Sequence, residues 1–218
     1  MEFAPFLATL PTEQRLALAY SRSGQRQVLL GFFSLDARLA AIVRSASEPL
    51  LGQIQLAWWR DQLALPAPLR VRGEPLLALL EAWRGEETCL SALVDGWELL
   101  LSGAALDSAA LAGHTEARAR GWAALARLVA APGAANEALR AGRNWALADL
   151  AMRLGQDEEH TIARKLADGQ DWRSASLPRR LRPLAVLHGL ARRQRGRAEL
   201  LDGPLALGAA LRLGLFGR

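Results

Sequence analysis

The sequence predicts an all-α protein, and three observations carry that prediction. Hydrophobic residues fill 51% of the 218 positions, with Leu and Ala dominant and β-branched residues scarce. Leu, Ala, Arg and Glu are good helix formers, whereas Val, Ile and Thr are what sheets prefer. Apolar positions recur at helical rather than alternating intervals, and prolines and glycines fall between the periodic segments, where helices start and stop. A chain of this length is read as one domain over residues 1–218, a bundle of about seven to nine helices.

Thr12 is the expected N-cap of a first helix over residues 13–21, after Pro11. Ser23 and Gly24 interrupt it, and a second helix is expected over residues 26–44 on Leu29, Phe32, Phe33, Leu39 and Val43. Pro49 opens a third helix through Leu63, since proline suits the first turn. Residues 65–68 read as a loop, 74–83 as a helix ended by Gly85, and 89–101 as a helix stopped by Ser102 and Gly103. Residues 114–130 form the cleanest amphipathic stretch, residues 136–154 the next, and residues 157–166 a polar helix. Residues 181–193 form a last strong helix, and residues 205–215 an apolar tail.

The one cysteine, Cys89, excludes an intrachain disulfide and a thiol-rich metal site. Met1-Glu2-Phe3 places an acid where a signal peptide needs a basic stretch, and no apolar run is long enough to span a bilayer, so a cytoplasmic protein is expected. Lys165 is the only lysine, and the net charge of +5 rests on arginine. Eight arginines and no acid lie between Arg173 and Arg197, whereas residues 74–98 are acidic. With the Leu181, Leu184, Leu187 and Leu190/Ala191 stripe, the basic stretch suits either a helix covering the core or peripheral contact with an anionic membrane. Nucleic acid is not an expected partner, because no aromatics interleave with the basic residues and no recognition motif is present.

The segment over residues 49–63, with its Trp58-Trp59-Arg60 step, resembles the helix after the first aspartate-rich motif of the squalene/phytoene synthase family. Residues 20–43, from Tyr20 on, resemble that family's first helical pair, and Asp95-Gly96-Trp97-Glu98 resembles its aspartate–glycine–aromatic–glutamate helix. Residues 116–128, residues 142–153 and Leu177-Pro178 continue the likeness in order, over about residues 12–195. The resemblance implies an isoprenoid synthase-like fold around an apolar cavity, truncated at the carboxyl end. It also implies magnesium held by facing aspartate clusters to bind prenyl diphosphates, because a departing diphosphate needs hard-cation neutralisation.

The decisive positions depart from that pattern. Ala40, Ala41 and Arg44 stand where the family places aspartates, and Asp36, one turn earlier, is the only acid near that face. In the second cluster Arg153 persists with Asp149 one turn back, whereas Asp157, Glu158 and Glu159 lie out of step beyond Gly155. Arginine repels a dication and alanine offers no ligand, so opposed carboxylates able to anchor magnesium are not expected. No catalytic, cofactor or metal residue is therefore assigned, and no cofactor is expected.

Trp58 and Trp59 read first as core packing, since adjacent helical positions point about 100° apart and cannot both line one pocket. Arg60 and Asp61, and likewise Asp95 and Glu98, read as interhelical ion pairs before ligands. His114 and His188 read as caps or surface residues, and His160 with its two acidic neighbours is not expected to form a metal cluster. The function expected is that of a non-catalytic synthase-like protein binding an isoprenoid or other apolar molecule, or a protein partner. The branch containing the mitochondrial complex I assembly factor has drifted from the synthase motifs in the same way. The alternatives are a prenyltransferase that condenses prenyl diphosphates at an altered Mg²⁺ site, and a peripheral membrane-surface protein using its basic carboxyl-terminal helix.

Overall fold

Helix ends follow local chemistry throughout the chain. Pro5, Pro49 and Pro75 lie in the first turns of α1 (Ala4–Thr9), α4 (Pro49–Ala64) and α5 (Pro75–Leu79), where no intrahelical N–H bond is lost. Asp107 caps α7 (Ser108–Leu128) by accepting the Ala110 N–H at 2.8 Å. The far end of α7 closes with Ala130 in the left-handed region (φ 55°) and the Ala131 N–H on the Ala126 carbonyl at 2.8 Å. Arg180 adds bonds from Nη1 to the Val129 and Ala130 carbonyls, at 3.1 and 2.8 Å.

The computed structural model describes residues 3–101, 105–193 and 212–214. The remaining α-helices among these are α2 (Thr12–Ala19), α3 (Ser23–Ser45), α6 (Glu87–Glu98), α8 (Ala135–Ala151), α9 (Asp157–Asp168) and α10 (Arg182–Arg193). A 3-10 turn, Leu80–Trp83, extends α5, and no strand occurs among the described residues. The all-α, single-domain class is as expected, with ten α-helices described rather than seven to nine. The additional one is α1, whose start at a proline beside the chain end carries no periodic signal. Thr12 opens α2 without making a side-chain cap, because Pro11 holds the cap position. Gly24 does not delay α3, which begins at Ser23. Most of the apolar 205–215 tail lies outside the described residues, although residues 212–214 are helical.

α7 is the hub, packing against α8, α6, α3 and α9, while α4 lies on the outer side of α6. Phe32, Phe33, Trp83, Trp122 and Trp145, all fully buried, fill the space between α3, α7 and α8. Phe32 stacks on Trp83 with centroids 5.6 Å apart, and Trp122 meets Phe33 and Trp145 edge-on at 5.7 and 5.9 Å. Each such pair contributes about 0.5–1.5 kcal/mol beyond its burial. Close packing depends on Gly142, where a Cβ would sit 2.7 Å from the Trp122 ring.

α10 packs between α2 and α8 with Leu184, Leu187, Leu190 and Ala191 fully buried. Its apolar stripe covers the core and is not presented to an outer surface. No helix among the described residues is long and apolar enough to cross a membrane.

Candidate functional site

The inward face of α3 runs through Leu29, Phe32, Phe33, Asp36, Leu39 and Ala40, so Asp36 occupies a core position at 2% exposure. The matching face of α7 runs through His114, Arg118, Trp122 and Leu125, and that of α8 through Gly142, Trp145 and Asp149. Three charged side chains thus project from three helices into one apolar interior. Arg118 Nη2 donates to Asp36 Oδ2 at 2.7 Å, and Nη1 donates to Asp149 Oδ2 at 2.8 Å. Its guanidinium lies over the Trp145 ring, 4.2 Å from the centroid, with Trp97 at 5.8 Å on another side.

The remaining carboxylate oxygens are also engaged. Trp97 Nε1 donates to Asp36 Oδ1 at 2.8 Å, and Arg153 Nη2 donates to Asp149 Oδ1 at 2.8 Å. Arg153 leads outward to Glu13, 3.9 Å away, so the network runs from the core to the surface at α2. Burial works against charge on Arg118, but Asp36 and Asp149 outweigh it and hold the guanidinium ionised. Burial likewise opposes ionisation of Asp149, yet Arg118 and Arg153 hold its carboxyl below the usual aspartate range. Glu13 is shifted the other way, upward, chiefly by its own burial.

His114 lies one turn before Arg118 and is fully buried, with Nδ1 3.2 Å from the Gly96 carbonyl and its ring edge-on to Trp97 at 4.4 Å. Burial first, and the Arg118 charge second, push its pKa down to about 3, so it is neutral across the physiological range. His188 is also buried, 2% exposed, stacked near Trp172 and 3.4 Å from the Asn144 amide, with a pKa lowered to about 4 mainly by burial. The surface or cap role expected for these histidines is therefore incorrect. Each lies on the inward side of its helix, which isolated position along the chain does not reveal.

The other expected positions divide cleanly. Asp36, Asp149 and Arg153 are brought together, through Arg118, which sequence reasoning passed over. The available signal was a charged residue inside the apolar stripe of α7. The expectation that no two carboxylates oppose each other is also corrected: Asp36 and Asp149 do so, from α3 and α8. Ala40 is buried beside them, whereas Ala41 and Arg44 face outward. Tyr20 ends α2 and packs on Gly214, where any side chain would overlap its ring.

Core packing holds for Trp59, at 3% exposure, but not for Trp58, which the 100° step between neighbours turns outward at 40% exposure. Arg60 forms the expected interhelical pairs, with Asp95 at 2.7 Å and with Glu98, on an exposed flank of α4 and α6. Glu159 is buried and accepts the Leu106 N–H at 3.1 Å, so it serves the fold rather than a cluster with His160.

The magnesium that the family resemblance implies does not fit these residues. All four oxygens of Asp36 and Asp149 already accept hydrogen bonds, and a fixed guanidinium lies between the two carboxylates. A dication needs short oxygen contacts at about 2.0–2.1 Å and would meet a like charge at the same place. Chemically the site is a buried, charge-matched clamp. A surface groove of about 520 Å³ lies elsewhere, between α5 and the segment that precedes it, lined by Arg70, Arg72, Glu74, Leu77 and Glu81. No family model, no curated protein and no solved structure matches this chain.

Proposed function

We propose that this chain is a non-catalytic squalene/phytoene synthase-like protein that acts by binding, with an isoprenoid or other apolar molecule or a protein partner as its target. The observation that supports this reading most is Arg118. A buried cation belonging to the chain itself stands between the two carboxylates that a metal-dependent synthase would need free. A guanidinium held by two aspartates and two indole faces turns over nothing, because its charge never leaves and no open coordination position adjoins it. The ring cluster of Phe33, Trp122 and Trp145 beside it fills space between the same helices, which favours a surface-binding role over a deep prenyl cavity.

Isothermal titration of the full chain with a non-hydrolysable farnesyl diphosphate analogue, with and without Mg²⁺, tests this reading. The expected result is no magnesium-dependent heat, together with no product from farnesyl or geranylgeranyl diphosphate. Magnesium-dependent affinity or turnover would overturn it and favour the prenyltransferase alternative, for which the opposition of Asp36 and Asp149 is the supporting feature.

A further inference from the structure

We infer that the outer face of α4 closes on a second copy of this chain, with the two α4 helices antiparallel across a two-fold axis near Ile54. This inference stands apart from the proposed function and rests on a different region. Leu50, Leu51, Ile54 and Trp58 are 62%, 48%, 59% and 40% exposed. Leu50, Ile54 and Trp58 recur every fourth residue, so they line one side of the helix, opposite the buried Leu56, Trp59 and Leu63. Large apolar side chains exposed singly need no explanation, but a contiguous ladder does.

The occupant follows from charge and area. No ionisable residue occurs from Pro49 through Trp59. A two-fold contact sets each residue against its own kind at the axis, so an uncharged stripe suits self-association in a protein otherwise dense with arginine. Pairing about Ile54 places Leu50 of one copy opposite Trp58 of the other, so the apolar stripe meets itself along its length.

An anionic membrane fits less well. The exposed Glu48, Asp61 and Asp95 ring the stripe, and Arg60 is already shared between two carboxylates. The four side chains expose roughly 400 Å² of apolar surface, close to the apolar share of the ~800 Å² each partner contributes to a standard interface.

The test is the mass of the full-length protein in solution by sedimentation equilibrium, for the native chain and for Ile54→Lys. The native chain is expected at twice its 23.6 kDa mass. Ile54→Lys sets two ammonium groups against each other at the axis and is expected to weaken association at least tenfold, with an unchanged circular dichroism melt for the dilute protein. Ile54→Cys in a Cys89→Ser background is expected to cross-link to a dimer with a short bis-maleimide, whereas Leu69→Cys, exposed off the stripe, is not. A monomeric native chain at high micromolar concentration, a dimer indifferent to Ile54→Lys, or binding to phosphatidylserine vesicles by a monomeric chain would overturn the inference.

Discussion

The interior between α3, α7 and α8 and the outer face of α4 invert the usual distribution of polarity. The first buries a guanidinium and two carboxylates at 1–2% side-chain exposure, and the second leaves a run of leucine, isoleucine and tryptophan in water. Neither arrangement is what stability alone selects, since buried ion pairs are at best neutral against apolar replacements and exposed apolar ladders invite association. The difference lies in completeness. Every carboxylate oxygen of the interior cluster has its donor within 2.8 Å. The α4 face has no such closure among the described residues. The interior cluster's acceptors are filled, although the buried Arg118 Nε, His114 Nε2 and Trp145 Nε1 have no hydrogen-bond partner, so the carboxylates are fixed by the scaffold while the polar atoms around them are not all used.

The comparison breaks hardest at Arg118. Arg118→Met leaves Asp36 buried with no ionic partner and Asp149 with Arg153 alone, the two carboxylates facing each other, and should lower unfolding free energy by about 3–5 kcal/mol. The check is urea denaturation followed by circular dichroism. The triple variant Asp36→Asn, Arg118→Met, Asp149→Asn removes the charges together and should recover most of that loss. Equal destabilisation by the single and triple variants would mean that packing around the arginine stem, rather than charge matching, sets the effect.

Acid is the next probe. His114 and His188 have folded pKa values of about 3 and about 4, against about 6.5 for the free side chain. The unfolded chain therefore binds more protons than the folded one below about pH 6.5, and stability must fall with pH through that window. The histidine contribution is complete above pH 6.5 and lost by the time pH reaches the folded values, where protonation of Asp149 then adds to the loss. The expected fall is on the order of a few kcal/mol between pH 7 and pH 4, measured by urea midpoints across that range. A flat profile to pH 4 would show that the interior is wetter than its burial indicates. The α4 face carries no titrating group and should be silent in the same experiment.

How far these regions were legible in the sequence follows from the range over which each is determined. The helices are local, and prolines at 49 and 75 and the apolar periods of α3, α8 and α10 place most of them. α7 was expected to start at His114 and starts at Ser108, because Ala109, Ala110, Ala112 and Gly113 give no apolar contrast and the cap at Asp107 was overlooked. Asp36, Asp149 and Arg153 stood out as acids and a base at helical spacings. The contact that joins them did not, since Arg118 is 82 residues from Asp36 and 31 from Asp149. An arginine amid alanines reads as a solvated face until three helices are seen to converge on it. The exposure of Trp58 was partly legible, because two adjacent tryptophans cannot both face inward, but nothing in the sequence says which one turns out.

A smaller effect is expected at Trp97. Trp97→Phe keeps the ring against His114 but removes the Nε1–H donor from Asp36 Oδ1, leaving a buried carboxylate with one bond fewer. The expected loss is about 1–3 kcal/mol. A double-mutant cycle with Asp36→Asn should show coupling between the two positions, whereas additive effects would indicate that the indole acts through volume alone.

The smallest effect is predicted where the exposed hydrophobicity is greatest. Leu56 and Ile54 lie two positions apart on α4, at 0% and 59% exposure. Leu56→Ala opens a cavity against α6 and should cost about 2–5 kcal/mol, whereas Ile54→Ala should change the unfolding free energy of the dilute protein by no more than about 0.5 kcal/mol. Because anything that binds the folded chain adds to its apparent stability by mass action, the Ile54→Ala deficit should grow with protein concentration if the face is covered by another copy. Melting curves taken over a hundredfold range of concentration read this directly. A deficit as large at the lowest concentration as at the highest would place Ile54 in the chain's own packing and remove α4 as an open surface, ending its contrast with the closed interior around Arg118.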